Sequence, residues 1–200
     1  MALKFAVNNS LSAVTSLPTA VPTGSMTLLQ TQTASSSATI DFTSNIDSTY
    51  DVYCFKFIDI HGSATSQLKC NFSTDGGSNY NVTKTTTNFL ASHNEDDSAN
   101  ELSYNTGRDL AQSTSDMFIS STLKTDNDSS YSGEMYLYNP SSSVFVKHFM
   151  IVGNSMGTSP RSIQDFFAGY GNTTSPIDAV KFLMGSGNID SGDIKLYGIS

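Results

Sequence analysis

The chain of 200 residues has no tryptophan, two cysteines, three histidines and only 14% charged residues. An average soluble protein carries about 25% charge. Ten basic residues stand against eighteen acids, for a net charge of −8. Without a Lys/Arg stripe, counterion-release binding to nucleic acid is excluded, and so is docking on an anionic membrane surface. No apolar run approaches the length of a membrane-spanning helix. No window of a dozen residues keeps a clean helical period, so a coiled coil or a helical bundle is excluded as well. The missing charge is replaced by neutral polar groups: Ser, Thr and Asn fill 70 of the 200 positions. Twelve Phe and nine Tyr argue against disorder, because each ring can bury about 150–250 Å² in a core.

The two cysteines make no disulfide framework. Cys54 and Cys70 flank a turn expected at His61-Gly62-Ser63, and a symmetric hairpin there would bring them close. Against a bond, Met1-Ala2-Leu3-Lys4-Phe5 leads into Asn8-Asn9-Ser10 with no apolar signal segment. Synthesis in a reducing cytosol keeps thiols free, so both are expected reduced and buried.

Motifs that carry chemistry are also scarce. His61, His93 and His148 form no pair at metal-ligand spacing, and no nucleophile elbow, P-loop or dinucleotide fingerprint occurs. The acidic runs His93-Asn94-Glu95-Asp96-Asp97 and Asp126-Asn127-Asp128 offer oxygen ligands for Ca²⁺ but lack the calcium-loop spacing, and they read as solvated loops. The sequons at Asn71, Asn81 and Asn172 carry no weight where so many residues are Ser or Thr. Sugar recognition usually uses a tryptophan platform; Tyr136 and Tyr138 are the available substitutes, although strand tyrosines more often pack a sheet. No catalytic, cofactor-binding or metal-ligating residue is assigned, and no cofactor is expected.

Residues 1–24 read as an extended arm, with Leu11, Val14, Leu17 and Val21 spaced among Pro18, Pro22 and Gly24. Residues 25–200 read as one β domain. Short apolar runs bounded by turn residues predict strands at Met26–Thr31, Ala38–Phe42, Tyr50–Ile60, Gln67–Ser73, Lys84–Ser92 and Asp116–Thr122. Further strands follow at Ser132–Tyr138, Val144–Val152, Ile163–Tyr170, Ala179–Met184 and Asp193–Ile199. Leu68, Cys70 and Phe72 alternate with Gln67, Lys69 and Asn71, giving one dry and one wet face. Tyr50–Ile60 is apolar on both faces, as a central strand would be. Arg161–Ala168 reads as helix or strand, and Asn94–Ser115 as a long surface excursion. Turns are expected at Asp75-Gly76-Gly77, Asn139-Pro140-Ser141, Gly185-Ser186-Gly187-Asn188 and Asp190-Ser191-Gly192. Phe55, Phe57, Phe72, Phe149, Phe182 and Leu196 are the expected core. The fold class is all-β: a jelly-roll-like antiparallel β-sandwich with a short N-terminal arm.

Four phrases occur in order: Asp75-Gly76-Gly77-Ser78-Asn79-Tyr80-Asn81-Val82-Thr83-Lys84, Tyr138-Asn139-Pro140-Ser141-Ser142-Ser143-Val144-Phe145, Ala168-Gly169-Tyr170-Gly171-Asn172-Thr173-Thr174, and Met184-Gly185-Ser186-Gly187-Asn188-Ile189. The chain closes on Gly192-Asp193-Ile194-Lys195-Leu196-Tyr197-Gly198-Ile199. From about Ser25 onward this resembles a family of virion structural proteins of tailed phages of marine bacteria, of cyanophage and pelagiphage type. The resemblance implies a virion component and does not place it on head, tail or fibre; with the absence of catalytic motifs, the expected function is a non-enzymatic structural protein on the particle exterior, as head decoration or as tail or fibre accessory. Its expected partners are other virion proteins and copies of itself, in a homotrimer or larger symmetric assembly, with the arm lying on a neighbour. The alternative is a glycan-binding module for host attachment.

Overall fold

Four nested antiparallel pairs define the topology. β1 (Met26–Thr33) pairs with β12 (Ile189–Ile199), and β2 (Ile40–Phe42) with β11 (Ala179–Met184). β3 (Val52–Gly62) pairs with β8 (Tyr131–Tyr138), and β4 (Leu68–Ser73) with β7 (Met117–Phe118). The chain is thus one long hairpin whose successive rungs fall alternately into two sheets. Rungs one and three join through β12 and β3, and rungs two and four through β11 and β4. This winding is the double Greek key of a jelly roll. In this computed structural model, which describes residues 26–200, the expected arm at residues 1–24 lies outside the described residues.

Four further strands widen one sheet. β5 (Lys84–Asn94) and β6 (Asn100–Tyr104) are inserted between β4 and β7; β9 (Lys147–Met156) and β10 (Arg161–Gly171) between β8 and β11. The large sheet has the order β1-β12-β3-β8-β9-β10-β5-β6, and the small sheet β2-β11-β4-β7. No helix occurs among the described residues. The chain between β6 and β7 stays on the free edge of β5, where Ser113 and Lys84 exchange backbone hydrogen bonds of 2.8 and 2.9 Å. Beyond β7, the Ser121 N–H donates to the buried Asp165 carboxylate of β10 at 2.6 Å, which ties this stretch to the inner face of the added strands.

The core lies between the sheets. Phe182 of β11 meets Phe55 and Phe57 of β3 and Phe42 of β2 edge-on, at centroid distances of 5.3, 5.2 and 6.0 Å. Phe72 meets Phe149 at 5.3 Å. All six residues expected in the core belong to one buried cluster. Opposite residues Gly133 and Gly153 let the strands pass under the Tyr131 ring; a Cβ on Gly153 would stand 2.2 Å from the Tyr131 hydroxyl oxygen.

Several sequence-based expectations need correction. His61 and Gly62 close no hairpin: they end β3 in the large sheet, while β4 lies in the small one, because the apolar rung must cross the core at that point. Cys54 and Cys70 are therefore not cross-strand neighbours, and both are free and buried. Asp190-Ser191-Gly192 is not a turn but a bulge within β12, where the register slips. Gly192 has φ 108° and its Cβ would stand 2.5 Å from the Asp59 carbonyl oxygen, so only glycine fits. The stretch Asn94–Ser115 contains β6, short and half polar but paired with β5. Arg161–Ala168 lies within β10. Val144 and Phe145 sit exposed in the loop before β9, and Asn71 is buried where alternation placed it on the wet face.

Burial pushes the Cys54 thiol up to about 11 and raises that of Cys70 too, so neither presents a thiolate near neutral pH. Native protein should therefore resist alkylation at both sites, and unfolding without reductant should label both. Protection that persists until a reductant is added would contradict the free-thiol state.

Candidate functional site

An antiparallel sheet with one face on the core usually turns polar side chains to water on the other. The large sheet does not. Cross-strand register places Tyr104, Phe89, Phe166 and Val152 in one outward row, continued by Glu134, Lys56 and Lys195. A second row runs Ala168, Met150, Tyr136, Cys54, Tyr197 and Leu28. A third holds Tyr170 beside His148, and Tyr138 beside Val52, Ile199 and Met26. Among the described residues nine large hydrophobic residues are exposed, and seven of them lie on this face: Met26, Leu28, Ile58, Phe89, Leu102, Tyr104 and Met150. Leu102 is 75% exposed and Met150 52%. Scattered single hydrophobics are ordinary on a surface, whereas a contiguous set marks an interaction site.

The face is ordered as well as apolar. Phe89 and Phe166 stack at 4.6 Å with planes 8° apart, and Tyr136 stacks on Tyr138 at 6.4 Å and 20°. The Tyr170 ring lies 6.1 Å from His148, and the Tyr138 hydroxyl approaches the Met150 sulfur at 3.8 Å. Between β8 and β5 a hollow of about 450 Å³ is lined by Tyr138, His148, Met150, Ala168, Tyr170 and Thr87. Charge on the face is concentrated toward β3, where Lys56 and Glu134 pair at 3.6 Å. Cys54 lies beneath this surface, flanked in register by Tyr136 and Tyr197.

The other residues that the sequence brought forward do not converge. His61 lies near Asp190 at 3.5 Å, His93 near Asp97 at 3.0 Å, and His148 on the apolar face. The acidic runs are occupied locally: Asp96 accepts from the Ser98 N–H and hydroxyl, and Asp126 pairs with Lys124. No cluster of three or more His, Cys, Asp or Glu suited to a metal ion occurs among the described residues. Tyr136 and Tyr138 were identifiable from sequence, whereas Phe89, Leu102, Tyr104 and Met150 were not. Their signal was alternation of apolar residues on the side away from the Phe core, visible only once the core face is known. Comparison with protein-family models, with curated proteins and with solved structures finds no match in any of the three.

Proposed function

We propose that the protein is a non-enzymatic structural component on the exterior of a phage particle, and that its large sheet packs against further copies of the chain in a symmetric assembly. The observation that carries this reading is the outward apolar face. Eight strands about 4.8 Å apart span roughly 34 Å, and eleven residues rise about 35 Å. The footprint of the sheet, its polar and charged positions included, is thus large enough to hold the ~800 Å² that a standard interface takes from each partner. The surface elsewhere is polar and carries the acidic excess behind the net charge of −8, which keeps the chain soluble and leaves the apolar face as the contact. A jelly roll is an architecture of capsid and lectin domains, which agrees with the resemblance of the four sequence phrases but does not choose between head, tail and fibre.

The purified chain should sediment as an oligomer. Phe89→Lys combined with Met150→Lys should yield folded monomers, because losing two buried apolar contacts of about 1.5–3 kcal/mol each weakens association about 100-fold or more. Mass spectrometry of particles should find the chain at a fixed copy number. A high number favours head decoration, and a small multiple of three or six a tail or fibre. The second reading rests on the hollow ringed by Tyr138, His148 and Tyr170. A monomer that binds host-cell polysaccharide, and loses binding with Tyr138→Ala and Tyr170→Ala, would replace assembly with glycan attachment.

A further inference from the structure

Among the described residues two lysines are fully buried, Lys84 and Lys147, and they are held differently. The Lys147 ammonium donates to the carbonyls of Phe145 and Thr173 at 2.9 and 3.1 Å, an ordinary cap on two loops. Lys84, the first residue of β5, donates to the Val82 carbonyl at 2.7 Å and to the Asn71 side-chain oxygen at 2.6 Å. Among the described residues its amine forms no ion pair within 4.0 Å. The nearby acid, Asp116, instead holds the other end of the same amide.

The amide of Asn71 is oriented without ambiguity. Its oxygen accepts from the Phe72 N–H at 2.9 Å as well as from Lys84. Its nitrogen donates to Asp116 Oδ1 at 2.8 Å and to the Thr114 carbonyl at 3.1 Å. An amine and a backbone donor on the oxygen, and a carboxylate on the nitrogen, are therefore gathered on one amide, with the amine one atom away from the carbonyl carbon.

We propose that Lys84 and Asn71 join through a side-chain isopeptide bond that the folded chain forms on itself. The Nζ lone pair attacks Asn71 Cγ, and the carbonyl pair moves onto Oδ1, where the Phe72 N–H receives it. Once Nζ has bonded to Cγ it shares that carbon with Nδ2, and the Asp116 carboxylate, already held on Nδ2 at 2.8 Å, takes one proton from Nζ and returns it to Nδ2. The C–N bond to Nδ2 then breaks, the carbonyl re-forms and ammonia leaves. A primary amine and a primary amide become a secondary amide and ammonia, with no oxidant, reductant or cofactor. Asp116 is 30% exposed, which gives the ammonia a way out to solvent.

Burial supports the first step by lowering the Lys84 amine to about 8, with Cys70, Asp116 and Lys181 the charged or titratable groups that act on it. A buried ammonium lacking a counterion is costly, and the neutral amine is the nucleophilic form. The bond would join β4 of the small sheet to β5 of the large one, a covalent tie across the sandwich. It does not depend on the role of the outer face.

Intact-mass spectrometry of the full-length chain under denaturing conditions tests this. The expected mass is one ammonia below the sequence mass, and digestion should give a branched peptide joining Lys84 to Asn71, with Lys84 resistant to trypsin. Asp116→Asn keeps both reactants and the shape of the site, and should yield a folded chain, checked by circular dichroism, at full mass. Wild-type protein at the sequence mass with Lys84 cleaved normally would overturn the proposal. So would an ammonia loss that persists in Lys84→Met. A complete cross-link in Asp116→Asn would overturn the proton transfer assigned to Asp116.

Discussion

Phe182→Ala should lower the unfolding free energy by about 3–5 kcal/mol, the range for deleting a buried aromatic ring. Phe182 has no exposed surface and touches three other rings edge-on. Each such pair contributes about 0.5–1.5 kcal/mol beyond area burial. The cavity would open where rungs from both sheets meet, so neither sheet can collapse into it without losing register. Urea denaturation should show the midpoint falling with an unchanged slope, and the melting temperature should drop by roughly 6–20 °C for a chain of this size. Phe145→Ala is the control: at 69% exposure in the loop before β9, it should shift stability by less than about 0.5 kcal/mol. A loss below about 1 kcal/mol at Phe182 would mean that the two sheets do not share one packed core.

Asp165→Ala should cost a similar amount for a different reason. Its carboxylate accepts from the Ser121 N–H at 2.6 Å and the Ser121 hydroxyl at 3.0 Å, with Arg108 3.6 Å away. Removing it leaves the buried Ser121 N–H without its acceptor and the partly buried Arg108 guanidinium, which still donates to the Ser121 hydroxyl, without its carboxylate, for an expected loss of about 3–5 kcal/mol. Burial raises this carboxyl above its ordinary value, against the pull of Ser121 and Arg108. The sign follows: the folded state holds this proton more tightly than the unfolded chain. The Asp165 contribution to stability is therefore largest below the ordinary carboxylate range, and it diminishes as pH rises through that range to the folded value. Asp165→Asn, neutral at every pH but still able to accept a hydrogen bond, should cost less than alanine and remove this component of the pH dependence. Arg108→Met combined with Asp165→Leu should restore much of the loss seen with either single change. Additive losses in the double variant would show that the two groups do not act as a pair.

The strands were legible because the local code is strong. Leu68-Lys69-Cys70-Asn71-Phe72 alternates cleanly, and Tyr53, Phe55 and Phe57 mark the core side of β3. β6 is hidden in the sequence because its five residues, Asn100 to Tyr104, stand among acidic and polar neighbours, although Leu102 and Tyr104 do alternate. Local pattern carried no information on which strands share a sheet. The crossing after Gly62 looks like a hairpin turn because both kinds of connection use the same small residues. Burial from distant chain was equally hidden. Asn71 reads as solvent-facing until the stretch carrying Thr114 and Asp116 reaches it, and Lys84 shows nothing in sequence of its being fully enclosed. The outer face was illegible for a related reason, since an apolar residue turned away from a core looks the same in sequence as one turned toward it.

The nested pairing also sets a schedule for biosynthesis. β1 is made first among the described strands and finds its partner, β12, only in the last eleven residues before Ser200. At about 5–20 residues per second, β1 waits roughly 8–30 s for the ribosome to release its neighbour. Until then β3 also lacks one flank, since β12 lies between them. Contacts this distant along the chain make folding slow. A chain that stops short of β12 thus leaves the first strand unpaired and the third open along one edge.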